Sequence, residues 1–288
     1  MGDAAFFREL GVLNEGVQAD IKGSLVVKKN SGELAKDDAV RMVLAHLKGS
    51  GVPESYARAA FDDPAVKLYP DIPGKFKPGG NAGATPYDQY RKYFMTEDRI
   101  QAGVDFFRAH RELLAQAEQA YGVDAGILTG LLGVETAYGT RTGTYMVFSA
   151  LYTITLKVPS RTDWAANELA EWLKLCYRQR IAPHSVKGSY AGAFGFFQFM
   201  PSSFNRFAVD FDGDGRISFD EWPNVVGSVA NYLALAGWQR GGSLDKPAKN
   251  YYAIFAYNHS DNYVRVIVEL RGEIMRRLAP APAVPAQS

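Results

Sequence analysis

Residues 124–139 read Asp-Ala-Gly-Ile-Leu-Thr-Gly-Leu-Leu-Gly-Val-Glu-Thr-Ala-Tyr-Gly. Asp124 is a residue type that caps a helix N-terminus, and Ile127, Leu128, Leu131 and Val134 then recur at helical spacing. Glu135 falls four residues after Leu131 and seven after Leu128, so it shares their buried face. Gly139 stands where a glycine commonly ends a helix. A carboxyl on such a face is stripped of water, which favours its neutral form and raises its pKa, the condition a general acid needs near neutral pH. The same pattern also suits a buried glutamate answered by backbone donors or by an arginine such as Arg141. The residues alone leave both readings open. A two-carboxylate glycosidase would need a partner across a cleft. The nearest downstream acids, Asp163, Glu168 and Glu171, read as the exposed charged face of another helix.

Outward from this helix the chain is mainly α. Helical spacing recurs at 39–47 and 53–61, broken by Gly49-Ser50-Gly51, and a longer block runs from a Thr96 cap to about Tyr121. Further helices are expected at 161–180, 201–208, 223–237 and 260–278, and 152–158 is the one fair strand candidate. Cys176 lies on an apolar stripe with Ala165, Leu169, Trp172 and Leu173, so it reads as a small buried hydrophobe. Residues 70–86 hold four prolines and four glycines, the composition of a linker or surface strap. The expected division is an N-terminal helical module at 1–69, that linker, a core at 87–277 and a disordered tail at 278–288.

The composition narrows the function. Of 288 residues, 22% are charged and 47% apolar, which is a folded chain, and 32 Lys+Arg nearly balance 31 Asp+Glu. Nucleic acid is therefore not the expected partner, since phosphate neutralisation needs a basic excess. A single cysteine excludes an intrachain disulfide. No run is long enough to span a membrane, and Met1 to Arg8 lacks the basic and apolar regions of a signal peptide.

Two further segments carry chemistry. Residues 187–204, KGSYAGAFGFFQFMPSSF, interleave Gly188, Gly192 and Gly195 with five aromatics before Phe204 and one amide, Gln198. Flat faces, close backbone approach and a side chain that both donates and accepts suit a sugar ring; they suit a tightly packed core equally. Residues 210–221, DFDGDGRISFDE, fit a twelve-residue calcium loop. Asp210, Asp212 and Asp214 supply alternating oxygens, Gly215 the sharp turn, Arg216 its carbonyl and Glu221 the closing carboxylate. Sensor loops come in pairs, so a lone one reads as a structural Ca²⁺ staple.

Together, Glu135-Thr136-Ala137-Tyr138-Gly139, GSYAGAFGFFQFMPSSF, DFDGDG, GSVANYL (227–233) and AYNHS (256–260) resemble, in that order, the membrane-bound lytic murein transglycosylase B family. The likeness covers roughly residues 85–275. It implies a lysozyme-like helical core that cleaves the β-1,4 bond between N-acetylmuramic acid and N-acetylglucosamine in peptidoglycan glycan strands. It also implies Glu135 as the single acid/base, giving a 1,6-anhydro product, and a cleft lined by Tyr90, Arg161, Ser189, Gln198, Phe199, Tyr232, Tyr257, Asn258 and Tyr263. A periplasmic or envelope location would follow, with a leader removed, and a monomer is expected.

Three departures stand out. Ser160-Arg161 replaces a frequent pair of arginines, the connection from Gly237-Trp238 to Tyr251 is too short for the β domain of larger members, and Asn224 occupies a position where some members close the calcium loop with a carboxylate. The twelve-residue spacing favours Glu221 as the closing ligand. A hydrolytic muramidase, a non-catalytic peptidoglycan-binding scaffold and a calcium-responsive regulator are the alternatives.

Overall fold

The computed structural model describes residues 33–76 and 85–279. The parts of the expected N-terminal module, linker and tail at 1–32, 77–84 and 280–288 lie outside the described residues. Helices dominate the remainder. In chain order they are α1 (Lys36–Leu47), α2 (Glu54–Asp62), α3 (Ile72–Lys75), α4 (Tyr87–Tyr90), α5 (Glu97–Ala109), α6 (Arg111–Tyr121), α7 (Ala125–Thr136), α8 (Val147–Lys157), α9 (Thr162–Gln179), α10 (Pro201–Phe207), α11 (Trp222–Leu235), α12 (Lys249–Tyr257) and α13 (Asp261–Leu278). The only sheet among the described residues is a pair of two-residue antiparallel strands, β1 (Tyr145–Met146) and β2 (Lys187–Gly188).

α7 is the centre. All twelve of its residues are buried, with α5, α6 and α13 packed around it. A helix this apolar has no solvent face to offer, so it must be enclosed. Its start is held twice: Asp124 accepts from the Ile127 N–H at 2.9 Å, and Arg271 of α13 grips the same carboxylate through Nε at 3.0 Å and Nη2 at 2.7 Å. Gly130 lets α13 lie close, for a Cβ there would sit 3.0 Å from the Ile267 carbonyl oxygen.

A second group forms around α9, which packs against α8 and α1 on one side and α10 on another. Its stripe of Ala165, Leu169, Trp172, Leu173 and Cys176 is fully buried, as expected. Glu168 departs from expectation. It is 3% exposed, and its carboxylate accepts from the Ser202 N–H at 2.9 Å and hydroxyl at 2.6 Å, capping α10. The exposed charged face assigned to it assumed one buried side of α9, whereas α9 is covered on more than one.

Three local expectations change. Residues 152–158 are not a strand: they run through α8 to Lys157, whose residues Val147 to Leu156 are all buried, so no periodicity could mark the helix. The single block from Thr96 breaks at His110 into α5 and α6, although Thr96 does cap, accepting from the Arg99 N–H at 3.3 Å. The start of the proline-glycine stretch is packed, not free. Ile72 is fully buried in α3, and just before it the Tyr69 N–H donates to the Thr153 hydroxyl on α8 at 3.1 Å.

Candidate active site

The site begins where α7 ends. The helix stops at Thr136, and Ala137, Tyr138 and Gly139 follow with φ of 48°, 57° and 80°. Three successive left-handed residues turn the chain away sharply, earlier than Gly139 alone implies. The Thr136 hydroxyl fixes the turn by accepting from the Gly139 N–H at 2.9 Å and donating to the Phe196 carbonyl at 3.0 Å. Thr136 thus ties the end of α7 to the glycine-aromatic segment, a role the sequence signals only by its place beside Glu135.

Glu135 is 4% exposed. Burial pushes its carboxyl up to about 8, and a hydrogen bond from the Tyr263 hydroxyl to Oε1 pulls in the opposite direction without overcoming it. At neutral pH the side chain therefore holds a proton. No arginine answers it: Tyr263 is its one side-chain hydrogen-bond partner among the described residues. Tyr263 and Tyr257 lie nearly parallel, 6.5 Å apart, and burial raises both phenols well above their ordinary range, so both stay neutral.

The glycine-aromatic segment folds beneath these rings. Ser189 and Ala193 close a turn on each other through Ser189 N to Ala193 O at 2.7 Å and Ala193 N to Ser189 Oγ at 3.1 Å. Gly188 passes so near the Ala193 carbonyl that a side chain would collide with it. Gln198 sits at φ 52°, a rare conformation for a residue with a Cβ. Its amide nitrogen donates to the Gly195 carbonyl at 2.9 Å and the Thr142 carbonyl at 3.2 Å, which commits both N–H groups and leaves Oε1 to accept from a ligand. Phe199 packs 5.6 Å from Tyr257 and 5.7 Å from Tyr232. The Tyr257 hydroxyl donates to the Phe197 carbonyl at 2.6 Å and the Tyr232 hydroxyl to the Ala256 carbonyl at 2.7 Å.

Contacts thus join Glu135, Tyr263, Tyr257, Tyr232 and Phe199, and Gln198 precedes Phe199 in the chain. Asn258 follows Tyr257 directly, and its buried Oδ1 has no hydrogen-bond partner among the described residues. Tyr90, fully buried at the end of α4, lies within electrostatic reach of Tyr263. Arg161 lies at the start of α9, its guanidinium 6.0 Å from the Trp164 ring centroid.

In the acidic loop, carboxylate oxygens of Asp210, Asp212 and Asp214 come within 4.8 Å of one another. Asp210 accepts from the N–H groups of Gly213, Asp214 and Gly215 at 2.8–3.2 Å, with the Gly215 bond the main cause of a carboxyl held below its usual range. Glu221 lies outside the trio, exposed at the head of α11. Asn224, 1% exposed, does reach it, donating to Asp212 Oδ1 at 2.7 Å and accepting from the Ser218 N–H at 2.9 Å. The Arg216 N–H donates to Asp214 at 2.8 Å.

Residues 35–249 match the family described as the transglycosylase SLT domain. The chain belongs to this family. It is 41% identical over 164 residues, 57% of its length, to membrane-bound lytic murein transglycosylase B of Escherichia coli (strain K12), and the match spans 45% of that relative's length. Among solved structures it resembles soluble lytic transglycosylase SltB1 from Pseudomonas aeruginosa, at TM-score 0.75 and 34% identity over 84% of this chain and 99% of that one. It also resembles the Escherichia coli lytic transglycosylase Slt35 in complex with calcium, at TM-score 0.74 and 26% identity over 86% of this chain and 96% of that one. The fold is accordingly that of lysozyme-like lytic transglycosylases. No helix among the described residues is long and apolar enough to cross a membrane.

Proposed function

We propose that the chain is a peptidoglycan lytic transglycosylase of the bacterial envelope, acting as a monomer, with Glu135 as its single acid/base. The observation that carries this reading is the buried Glu135 carboxyl at the end of α7, bonded to the neutral Tyr263 hydroxyl and facing no cation among the described residues, an environment that favours its protonated form. A neutral carboxyl can donate to the oxygen of the glycosidic bond as that bond breaks. The carboxylate so formed then takes the proton of the muramic C6 hydroxyl as its oxygen bonds to C1, which restores the acid and closes a 1,6-anhydro ring. One group serves both steps, so no second carboxylate is required. The edges of Tyr232 and Tyr257 that remain exposed would meet a sugar, Phe199 and the fully buried Tyr90 contribute by packing within the site, and Asn258 Oδ1 and Gln198 Oε1 supply acceptors for acetamido N–H groups. Ser189 shapes the backbone turn of the glycine-aromatic segment, and Arg161 is the cation that the family pattern offers to an acidic substituent.

Mass spectrometry of the fragments released from peptidoglycan tests the reading. Anhydromuramic ends are expected; reducing muramic ends would make the chain a hydrolase, and binding without release would make it a scaffold. Tyr263 tunes the acid. Its bond favours the charged carboxylate, so Tyr263→Phe is expected to raise the Glu135 pKa further and move the alkaline limb of kcat/KM to higher pH. An unchanged or lowered limb would detach Tyr263 from the proton.

The acidic loop fits a calcium ion. Its donors are all oxygen, Asp210 is held ionised, and the trio is already gathered. Asp210, Asp212, Asp214 and the Arg216 carbonyl would hold the ion, with Glu221 or Asn224 closing the shell. When bound, it supplies structural cross-linking and no chemistry. Chelation is expected to lower Tm by several degrees, calcium to restore it, and Asp210→Ala to abolish the difference. An identical Tm with and without calcium would remove the ion from the account.

A further inference from the structure

A cavity of about 570 Å³ opens beside the proposed cleft, lined by residues of three segments: 85–87, 259–262 with Arg265, and Lys246 with Phe255. Two of these walls continue those of the cleft. Residues 259–262 run on from Tyr257-Asn258 and lead directly into Tyr263, the residue bonded to Glu135, and Tyr87 opens the short helix that ends in Tyr90. The cavity therefore adjoins the two segments that carry Tyr90 and Tyr263 into the site, and a substituent on a strand bound there lies within its reach.

Charge in the lining is uneven. Lys246 and Arg265 are positive against the single acid Asp261. Asp261 is already answered, by the Tyr251 hydroxyl and by Lys246 Nζ at 3.3 Å. Burial lowers the His259 pKa, so it adds no charge at neutral pH. Beneath the lining, Glu269 is taken by Arg91 and by the Tyr87 hydroxyl. Arg265 is what remains. It is exposed and close enough to Asp261 and Glu269 to help hold both carboxyls low, yet among the described residues it forms no hydrogen bond or ion pair with either. It is nonetheless held in place: its guanidinium carbon lies 3.7 Å from the Tyr87 ring centroid, and Glu269 pins the hydroxyl of that same ring. A guanidinium laid on an aromatic face keeps its in-plane N–H fork turned outward, the geometry that meets a carboxylate with two parallel bonds.

From this arrangement we infer that the cavity is a subsite for the peptide carried by muramic acid, with Arg265, positioned by Tyr87, binding a carboxylate of that peptide. The inference rests on the proposed glycan-cleaving function and adds a determinant of which strands are taken. The cavity is of the size that receives one or two amino-acid residues. Arg161, which the resemblance assigns to the cleft lining, lines no part of it.

The test compares two substrates: glycan strands with their peptides, and the same strands stripped by an amidase, which keep the lactyl carboxylate and lose the peptide. The quantity read is the ratio of kcat/KM on the two, with the released fragments followed by mass spectrometry. Wild type is expected to prefer strands with peptides. Arg265→Ala is expected to reduce that ratio about tenfold, chiefly through KM, and Arg265→Lys to recover only part of it, because an ammonium lacks the fork. Tyr87→Phe, which keeps the ring but frees it from Glu269, should give an intermediate loss. A ratio unchanged in Arg265→Ala would overturn the subsite. So would an equal loss on both substrates, which would mark Arg265 as a partner of the glycan itself or of the lactyl group. Failure of wild type to release fragments from either substrate would instead refute the underlying function.

Discussion

Glu135→Gln is expected to lower turnover on peptidoglycan at least about a thousandfold, because the variant can neither give nor take the proton and no second carboxylate stands in. The same change should not weaken the fold. The folded-state pKa of about 8 lies above the ordinary value of 4.5, so the native protein retains a proton that the unfolded chain releases. Stability therefore falls as pH rises from about 4.5 towards 8, and levels off beyond. The glutamine variant has nothing to titrate at this position and escapes that cost, of order a few kcal/mol at its largest. It should melt no lower than wild type at pH 5 and progressively higher than wild type towards pH 8. Glu168, raised by burial to about 7, contributes the same slope to both proteins and cancels from the difference. Turnover within tenfold of wild type would remove Glu135 from the chemistry, and a Tm difference indifferent to pH would show that its proton is not held by burial.

Trp172→Ala should be the most damaging single truncation for stability, about 4–5 kcal/mol in urea denaturation. Trp172 is fully buried in α9, donates from Nε1 to the Pro183 carbonyl at 3.0 Å, and meets the Phe194 ring edge-on at 5.0 Å. Removing it leaves a large cavity and an unsatisfied carbonyl. The damage falls under the proposed site, since Phe194 N donates to the Phe199 carbonyl at 3.0 Å and so holds the loop on which Gln198 rides. Trp172→Phe keeps most of the volume and should lose less than half as much. A cost below about 1 kcal/mol for the alanine variant would contradict this packing.

How far residues could be read from their pattern depended on how many sides were covered. Glu135 was legible because apolar residues flank it at helical spacing and a carboxyl among them is anomalous. Cys176 was legible for the same reason. Glu168 was not, because α10 covers it from a direction that no period within α9 reveals. The fully buried α8 resembled a strand, since β-branched residues without a polar face carry no period to read. α12 gave no signal at all: Lys-Asn-Tyr-Tyr-Ala-Ile-Phe-Ala-Tyr has no cap, and its aromatics point towards strand. The gathering of Asp210, Asp212 and Asp214 was legible from spacing, whereas Asn224 reaches Asp212 only because α11 folds back over the loop. The Tyr87–Arg265 stack joins residues 178 positions apart and could come only from the fold.

The enclosure of all twelve residues of α7 bears on how such an enzyme can diversify. A helix with no free face tolerates almost no drift, because each substitution disturbs a neighbour on some side. Glu135, the proposed proton donor, is thereby constrained together with its framework, while the short segments flanking Tyr90 and Tyr263 have more room to change. Inheritance of the reaction and adaptation of its substrate range are thus written in different parts of the chain.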